Sequence, residues 1–337
     1  MAKLSLGLQL GYWGAFYPPV HIDLAKEAES LGYDSVWCAE SWGNDCFTPL
    51  AWIGANTSTI RLGTSVAQIS ARTPASCAMS TLALDHMSGG RMILGLGVSG
   101  PQVVEGWYGQ PYSKPVTRTR EYVDIIRQIL AREGPVTSDG EFYPLPYNGP
   151  GSWGMGKPLK PITHPLRADV PIFIGAEGPK NVTQTVEIAD GWLPLYYSPY
   201  RPEVYADQLV GAKPDFEIAA LTLVNINDNL QDALYPVKAM LGFYVGGMGA
   251  AKRNFHKELM ARMGFADEAQ EVQDLFMAGN KDAAIAAVPD QFADEISLSG
   301  PKDRIREKIK DWEDSPVTSL LVNGDAALLR DMAEMVL

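Results

Sequence analysis

The sequence predicts an α/β protein of the (β/α)8 TIM-barrel class, and three observations support this. The chain of 337 residues alternates short apolar runs with helical patterns, which is typical of parallel strands joined by crossover helices. Eight apolar runs of strand length occur in a chain long enough for one such barrel. The last strand and helix, at the extreme C-terminus, look like the first pair. A doubly wound open sheet with an added helical domain is the main competing architecture.

The individual elements follow from apolar runs and helical spacing. Residues 4–10 are a predicted strand, and the helix after it carries four apolar residues at helical spacing before Gly32. The other predicted strands cover residues 34–40, 60–67, 91–98, 170–175, 190–195, 216–226 and 317–323. Further predicted helices lie near 50–56, at 74–88 and 116–133, from Pro179, and after the last strand. Together they predict a single domain spanning residues 1–337.

Two segments interrupt the alternation. Residues 134–168, after the fourth βα unit, hold seven prolines and the run GPGSWGMG. Such a segment predicts a long Pro/Gly-rich insertion, because structureless loops of this length are usually functional or disordered. Residues 230–313 are predicted to be a mostly helical insertion before the last strand, with a Gly-rich break at 242–250.

Charge and composition exclude several classes of protein. The formal net charge is −12 without a basic block, which argues against nucleic acid and anionic membrane surfaces as partners. No apolar stretch reaches the ~18 residues of a membrane span. Three cysteines without a Cys-x-x-Cys pair suit a reducing compartment, so we expect a cytoplasmic protein. The four histidines match no metal-ligand spacing, so no metal is expected.

Two glycine-rich turns are candidate phosphate sites. Gly95, Gly97 and Gly100 form G-x-G-x-x-G after a strand, but a loop follows where a dinucleotide-binding unit needs a helix. We therefore expect a strand whose missing side chains leave room for a flat ligand, rather than an NAD site. The run IGAEGPKNV at 174–182 is the better anion candidate, because the N–H groups and dipole of a helix starting at Pro179 attract phosphate. An ordinary strand-to-helix turn uses the same residue types, so that alternative stays open.

Glu40 is the candidate acid–base residue. It ends the second predicted strand, where a barrel aims side chains into its mouth, and partial burial there would suit proton transfer. The structural alternative is a carboxylate paired with a nearby arginine or a helix N-terminus. No Ser-His-Asp, Cys-His or paired-carboxylate pattern appears, so hydrolysis by a built-in nucleophile is weakly supported.

Aromatic residues collect in the loops that follow predicted strands, whereas core aromatics usually lie within elements. This pattern suggests an apolar pocket for a flat cofactor and a bulky substrate. The residues are Tyr12, Trp13, Phe16 and Tyr17 after the first strand, Trp42 after the second, Trp107 and Tyr108 after the fourth, and Trp192, Tyr196, Tyr197 and Tyr200 at the sixth.

Longer stretches occur in the order of a known family. They are LGLQLGYWG (6–14), AESWGNDCFTPLAW (39–52), IRLGTSVAQISARTP (60–74), LDHMSGGRMILGLGVSGPQVVEGWYG (84–109), KPVTRTREYVDIIRQ (114–128), VPIFIGAEGPKN (170–181) and IADGWLP (188–194). On these stretches the chain resembles the bacterial luciferase-like oxidoreductases, in the branch that uses the deazaflavin coenzyme F420. Residues beyond 200 resemble the family more loosely, chiefly through VGGMGAAKRNFH at 245–256.

The resemblance implies a luciferase-like TIM barrel with the cofactor in its C-terminal mouth and the 134–168 segment beside the entrance. It also implies a bulge at Ser65–Val66, often a non-prolyl cis peptide in the family, and a cofactor phosphate on the GAEGPKN turn. The implied cofactor-binding residues are Gly11, Ser65, Val66, Ala67, Gly97, Val98, Ser99, Gly175, Ala176, Glu177 and Gly178. The implied substrate pocket consists of Tyr12, Trp13, Trp42, Trp107 and Tyr196.

The function expected from the resemblance is hydride transfer between F420 and a bulky, largely apolar organic substrate. Glu40 falls where related enzymes place an acidic residue near the reacting ring, although Ser41 replaces the histidine that some have beside it. Pro101 and Gln102 stand in place of a carboxylate used by the sugar-phosphate dehydrogenase branch, so that branch's activity is not expected. The alternatives are an FMN-dependent luciferase-like monooxygenase and a non-catalytic F420- or flavin-binding protein. The expected partner is a small-molecule substrate, and the expected assembly is a homodimer.

Overall fold

The structure, a computed structural model, describes residues 4–16, 18, 20–248 and 254–337. The chain divides into two compact units. The first unit holds Leu10–Gly175 and Glu187–Gly191, and the second holds the chain up to Gln9, Ala176–Val186 and Trp192–Leu337. Within the described ranges, no helix is both long enough and apolar enough to cross a bilayer.

The described residues form short strands that pair in parallel. In chain order they are β1 (Ser5–Gln9), β2 (Ser35–Cys38), β3 (Arg61–Thr64), β4 (Ala67–Gln68), β5 (Met92–Gly97), β6 (Ile172–Gly175), β7 (Gly191–Leu193), β8 (Glu217–Ile226), β9 (Ser297–Gly300) and β10 (Ser319–Val322). In the first unit, β2 pairs with β3, β3 and β4 pair with β5, and β5 pairs with β6. In the second unit, β1 pairs with β10, and β8 pairs with both β10 and β9.

Helices separate most of these strands. They are α1 (His21–Ser30), α2 (Phe47–Gly54), α3 (Pro74–Ser88), α4 (Pro101–Gly106), α5 (Pro115–Ala131), α6 (Pro179–Ile188), α7 (Leu230–Gly247), α8 (Phe255–Arg262), α9 (Ala266–Met277), α10 (Lys281–Ala287), α11 (Asp290–Glu295), α12 (Lys302–Glu313) and α13 (Ala326–Val336). A short 3-10 helix covers Pro202–Val204. The predicted alternation of strands and helices is confirmed from β1 to β7 and again at β10 and α13.

Burial explains why these segments form these elements. Every residue of β2 and of β5 is buried, as expected for parallel strands covered on both faces. In α5 the buried residues recur at helical spacing, so one face of the helix packs on the core. Pro115 begins α5, because proline suits the first helical turn, where its missing N–H costs no hydrogen bond.

The third predicted strand, residues 60–67, is interrupted. β3 ends at Thr64, β4 begins at Ala67, and the peptide bond between Ser65 and Val66 is cis. The interruption lies where the resemblance implied a bulge. The insertion expected at 134–168 is also present, since α5 ends at Ala131, β6 begins at Ile172, and only isolated bridges such as Val136 with Leu159 lie between.

The segment expected to be mostly helical, 230–313, contains α7 to α12, but it also contains the unpredicted strand β9, whose sequence SLSG has no apolar run and whose serine hydroxyls are hydrogen-bonded at 2.9 Å. Two other expectations were wrong. The loop predicted after the fourth strand begins as α4, which is only six residues long and too short to show periodicity. Residues 242–247 continue α7 instead of breaking it, because Gly246 and Gly247 leave room for the Phe276 ring. The rest of that predicted break, at 249–250, lies outside the described residues.

Candidate functional site

Glu40 lies just beyond the end of β2, and its carboxylate is buried in an ion pair. Arg72 donates from Nη2 to Oε1 at 2.6 Å and from Nη1 to Oε2 at 2.9 Å. The N–H of Gln68 donates to Oε2 at 2.7 Å, and the Gln68 side-chain amide donates to the Glu40 carbonyl at 3.0 Å. Glu40 is therefore buried, as expected, but its carboxylate is paired with an arginine. Such a pairing was the structural alternative to an acid–base role.

Arg72 joins Glu40 to a second carboxylate. Its Nη2 also donates to Asp45 Oδ1 at 2.6 Å, and its guanidinium lies 4.9 Å from the centre of the Phe47 ring. Burial opposes the charge on Arg72, but the hydrogen bonds to Glu40 and its negative charge outweigh this and raise the pKa of Arg72. Burial likewise opposes ionisation of Asp45, but hydrogen bonds from Thr48 and the charge of Arg72 hold the pKa of Asp45 below its usual value. In this cluster, one guanidinium is therefore hydrogen-bonded to two carboxylates.

The same cluster contains a thiol. Glu40, Asp45 and Cys46 each place one possible metal-ligand atom within 4.8 Å of the others. Burial and the charge of Glu40 raise the pKa of the Cys46 thiol well above its usual value, so the thiol keeps its proton. Metal ligands must be deprotonated and available, whereas Arg72 already binds both carboxylates. The trio therefore suits a charge network better than a cation site.

The Tyr108 hydroxyl feels the charge of this network, whereas the sequence indicated Tyr108 only as one of the aromatic residues of a possible apolar pocket. Burial, followed by the charge of Glu40, raises the pKa of Tyr108, so its hydroxyl stays protonated at neutral pH. Ser41, which directly follows Glu40, donates its hydroxyl to Asn44 at 2.8 Å. Tyr108 is therefore a proton-carrying group within electrostatic reach of Glu40.

The interrupted third strand packs against a glycine of β5. A Cβ at Gly97 would lie 2.3 Å from Cγ2 of Val66, so only glycine allows this approach. The Thr64 hydroxyl donates to the Gly95 carbonyl at 2.7 Å, and the Gly95 N–H donates back to it at 2.8 Å. The close approach of Val66 accounts for the glycine at position 97 of the G-x-G-x-x-G motif without a dinucleotide.

Two of the predicted pocket tryptophans come together in the first unit. Trp42, after β2, and Trp107, after β5, line one open pocket with Gln102, Val103 and Gly106. Their side chains are 54% and 63% exposed, respectively. The pocket thus offers two indole surfaces and one amide, which suits a planar ligand with few polar groups.

The other predicted pocket aromatics have different surroundings. Tyr12 is exposed and Trp13 half-buried in the loop after β1, which begins at Gly11 with φ +68°. Tyr196 is buried and packs edge-to-face against Tyr244 and His256, with ring centres 5.9 Å away in each case. Tyr17 lies outside the described residues.

The predicted phosphate turn joins β6 to α6. Gly175 ends β6, α6 begins at Pro179, and the Gly178 carbonyl accepts from the N–H groups of Asn181 and Val182 at 2.9 and 3.0 Å. A Cβ at Gly178 would meet no atom within 4 Å, so the space beside the turn is open. Pro179 has no N–H, and the N–H groups of Asn181 and Val182 bond the Gly178 carbonyl, so the donors that this turn offers to an anion are the N–H groups of Gly178 and Lys180, at the positive end of the helix dipole. The local geometry therefore fits a phosphate.

Glu177 in this turn makes contacts that no sequence pattern indicated. Its carbonyl oxygen accepts from Arg262 Nη2 at 2.6 Å and from the Tyr205 hydroxyl at 3.4 Å. Its Oε1 lies 3.0 Å from Nδ1 of His256. Burial, followed by the charge of Glu177, raises the pKa of Tyr205, so the hydroxyl remains a donor. Arg262 and His256 both belong to α8, and Arg262 is 85 residues from Glu177 in sequence.

The predicted site residues are distributed over both units. The second unit contains Ala176, Glu177, Gly178 and Tyr196. The first unit contains Gly11, Tyr12, Trp13, Glu40, Trp42, Ser65, Val66, Ala67, Gly97, Val98, Ser99, Trp107 and Gly175.

Parallel strands alternating with helices place the chain in the α/β class of proteins. Within that class, the chain belongs to the luciferase-like monooxygenase family, which it matches over residues 11–319. A protein of Mycobacterium tuberculosis that bears the name of a coenzyme F420-dependent oxidoreductase is 53% identical, covering 99% of both chains. A 5,10-methylenetetrahydromethanopterin reductase of Methanolobus tindarius is 30% identical over 89% of this chain and 88% of its own. These likenesses confirm the resemblance inferred from the sequence and the expectation of an oxidoreductase.

Solved structures show the same fold. The coenzyme F420-dependent tetrahydromethanopterin reductase of Methanopyrus kandleri has a TM-score of 0.80 at 23% identity, covering 99% of both chains. The oxygenating constituent of 3,6-diketocamphane monooxygenase from Pseudomonas putida, in complex with FMN, has a TM-score of 0.66 at 18% identity, covering 99% of this chain and 98% of its own. The predicted luciferase-like (β/α)8 barrel is confirmed. The first of these proteins is named for F420 and the second is in complex with FMN, so the shared fold is compatible with either cofactor.

Proposed function

We propose that this chain is a coenzyme F420-dependent oxidoreductase that transfers hydride between the deazaflavin and a bulky, largely apolar organic substrate. The observation that carries the proposal is the 53% identity, over 99% of both chains, to a relative named as an F420-dependent oxidoreductase. The deazaflavin supplies the hydride chemistry when bound, and the protein supplies position, exclusion of water and proton handling.

One local feature fits such a cofactor. Beside Gly178 the space is open on the side where a Cβ would project, so an anionic group there would lie at the N-terminus of α6. A larger residue at Gly178 would fill that space.

We assign the proton relay to Glu40, with Tyr108 as a second proton-carrying group. The Glu40 oxygens are fixed by Arg72 and by the N–H of Gln68, so a proton acceptor is held at a defined position. Arg72 balances the carboxylate charge, which lets a charged group persist in a buried position. The protonated Tyr108 hydroxyl lies within electrostatic reach. A relay of this kind contributes ~10²–10⁴-fold in general acid–base catalysis.

The pocket of Trp42 and Trp107 supports the apolar substrate. Both indoles are exposed there, and Gln102 is the pocket's polar side chain. Burying apolar surface against two indoles would drive binding, while a single amide would orient one polar group of the substrate. A strongly charged substrate would find no counter-charge in this pocket.

Equilibrium titration of the purified protein with F420, FMN and NADPH tests the cofactor. We expect tight binding of F420 and much weaker binding of the other two. Turnover is then followed through the deazaflavin absorbance, with planar apolar acceptors compared with charged ones of similar size. Equal or tighter binding of FMN would assign the chain to the monooxygenase branch. Tight F420 binding without turnover of any acceptor would indicate a cofactor-binding protein.

A further inference from the structure

We infer that Arg262 is a positioning residue for the phosphate of the cofactor. It fixes the peptide unit between Glu177 and Gly178, so that the Gly178 N–H is aimed at the phosphate. The inference rests on the proposed cofactor site at this turn and names the residue that gives the turn its geometry.

The first step is the geometry of one peptide unit. The Glu177 carbonyl oxygen accepts from Arg262 Nη2 at 2.6 Å and from the Tyr205 hydroxyl at 3.4 Å. A trans peptide is planar, and its C=O and N–H point to opposite sides. Holding the oxygen therefore fixes the direction of the Gly178 N–H, which points away from Arg262. On the side of Gly178 where a Cβ would project, the space is open, since that Cβ would meet no atom within 4 Å.

The second step is the charge of the donor. A guanidinium forms a stronger hydrogen bond than a neutral donor, and hydrogen bonds in series polarise one another. The bond from Arg262 therefore strengthens the Gly178 N–H as a donor while fixing its direction. The Arg262 guanidinium lies 5.9 Å from the centre of the Tyr205 ring, a cation–π contact with a side chain that is itself buried.

The third step is the support of α8, the helix that carries Arg262. Asn254 caps this helix, and its Oδ1 accepts from the N–H groups of His256 and Lys257 at 3.0 and 3.1 Å. The Asn254 Nδ2 donates to the carbonyls of Tyr244 and Val245 in α7, at 3.0 and 2.8 Å. These hydrogen bonds attach α8, the helix that carries Arg262, to α7.

His256 provides a second contact from α8 to the same residue. Its Nδ1 lies 3.0 Å from Glu177 Oε1, without the alignment of a hydrogen bond, and its ring packs against Tyr196 and Tyr244. A carboxylate free to turn towards a bound phosphate would repel it. The contact keeps the Glu177 side chain on the α8 side.

The test compares two ligands and three variants. The ligands are F420 and its deazaflavin ribityl fragment, which lacks the phosphate and the acidic tail attached to it. We expect Arg262→Met to weaken F420 binding by about tenfold or more, the size of one lost charge-assisted hydrogen bond, with the affinity for the fragment unchanged within about twofold. Arg262→Lys keeps the charge but loses the guanidinium geometry, so we expect an intermediate loss. Arg306→Met is the control, because it removes the same charge from a surface side chain bonded to Asp303 and Glu334.

The outcomes separate this inference from the proposed function. If wild type binds F420 and the fragment equally well, the turn at Gly178 does not bind the phosphate, and the proposed role of Arg262 is wrong as well. If wild type prefers F420 and Arg262→Met keeps that preference, or weakens both ligands equally, only the role of Arg262 is overturned. Should the protein prefer FMN, the pair of FMN and riboflavin isolates the phosphate, because these two ligands differ by that group alone.

Discussion

The guanidinium of Arg72 binds both carboxylate oxygens of Glu40, with N–O distances of 2.6 and 2.9 Å, and Glu40 is only 7% exposed. Removing Arg72 would leave the Glu40 carboxylate buried without compensation, whereas removing Glu40 would leave Arg72 paired with Asp45. The pair is therefore compatible with a structural anchor and with a proton relay whose charge Arg72 balances. Substitutions at the carboxylate separate these two roles.

Glu40→Gln keeps the shape of the side chain and removes its ability to exchange a proton. If Glu40 is the relay, kcat falls by ~10²-fold or more while the dissociation constant of the cofactor stays within a few-fold of wild type. Steady-state turnover and equilibrium titration measure the two quantities. Asp45→Asn is the matched control, because it also removes a carboxylate bound to Arg72 and is expected to keep kcat. Full activity of Glu40→Gln would place the proton elsewhere, with Tyr108 the next candidate.

Asp45→Asn is also predicted to change how the stability of the protein depends on pH. The pKa of Asp45 lies below its usual value, so the ionised form stabilises the fold above about pH 4, and this contribution is lost as the pH falls through the lowered value. The Asp45 side chain is 37% exposed, so solvent limits the effect to under about 1 kcal/mol. Urea unfolding should show wild type more stable than Asp45→Asn at neutral pH and equal to it near pH 2. A difference that persists in acid would contradict the assignment.

The elements that could be predicted from the sequence are those that a single local pattern specifies. Fully buried parallel strands such as β2 and β5 are continuous apolar runs, and α5 shows helical spacing from Pro115 onwards. The turn at Gly178 was found because glycine followed by proline after a strand is a local signal.

Contacts between distant residues could not be predicted in this way. Arg72 is 32 residues from Glu40, and Arg262 is 85 residues from Glu177, so no periodicity connects them. Gly246 and Gly247 resemble a helix break in sequence, but a Cβ on either would lie 2.4–2.6 Å from Phe276 atoms. Glycine is needed at these two positions because of the Phe276 ring, which belongs to another helix, α9. A local sequence pattern carries no information about that ring.

Gly97→Ala should destabilise the first unit through one specific clash. The new Cβ would lie 2.3 Å from Val66 Cγ2, and overpacking of this kind costs about 1–3 kcal/mol. Val66→Ala removes that methyl group, so the double variant should regain stability relative to Gly97→Ala alone. Urea unfolding of the two single variants and the double variant gives the coupling free energy, expected at about 1 kcal/mol or more. Additive losses would show that Gly97 is required for another reason.

Gly178→Val tests the phosphate turn directly. A side chain at Gly178 would enter open space, so the fold should persist by circular dichroism, while the added bulk would occupy the place proposed for the phosphate. We expect cofactor binding to weaken by at least ~1–3 kcal/mol, the cost of losing a hydrogen-bonded charge contact. Gly134→Val is the matched control, because a Cβ at Gly134 also meets no atom within 4 Å and no role is assigned there. Isothermal titration of both variants decides the matter: equal affinities in two folded proteins would leave the turn an ordinary connection between β6 and α6.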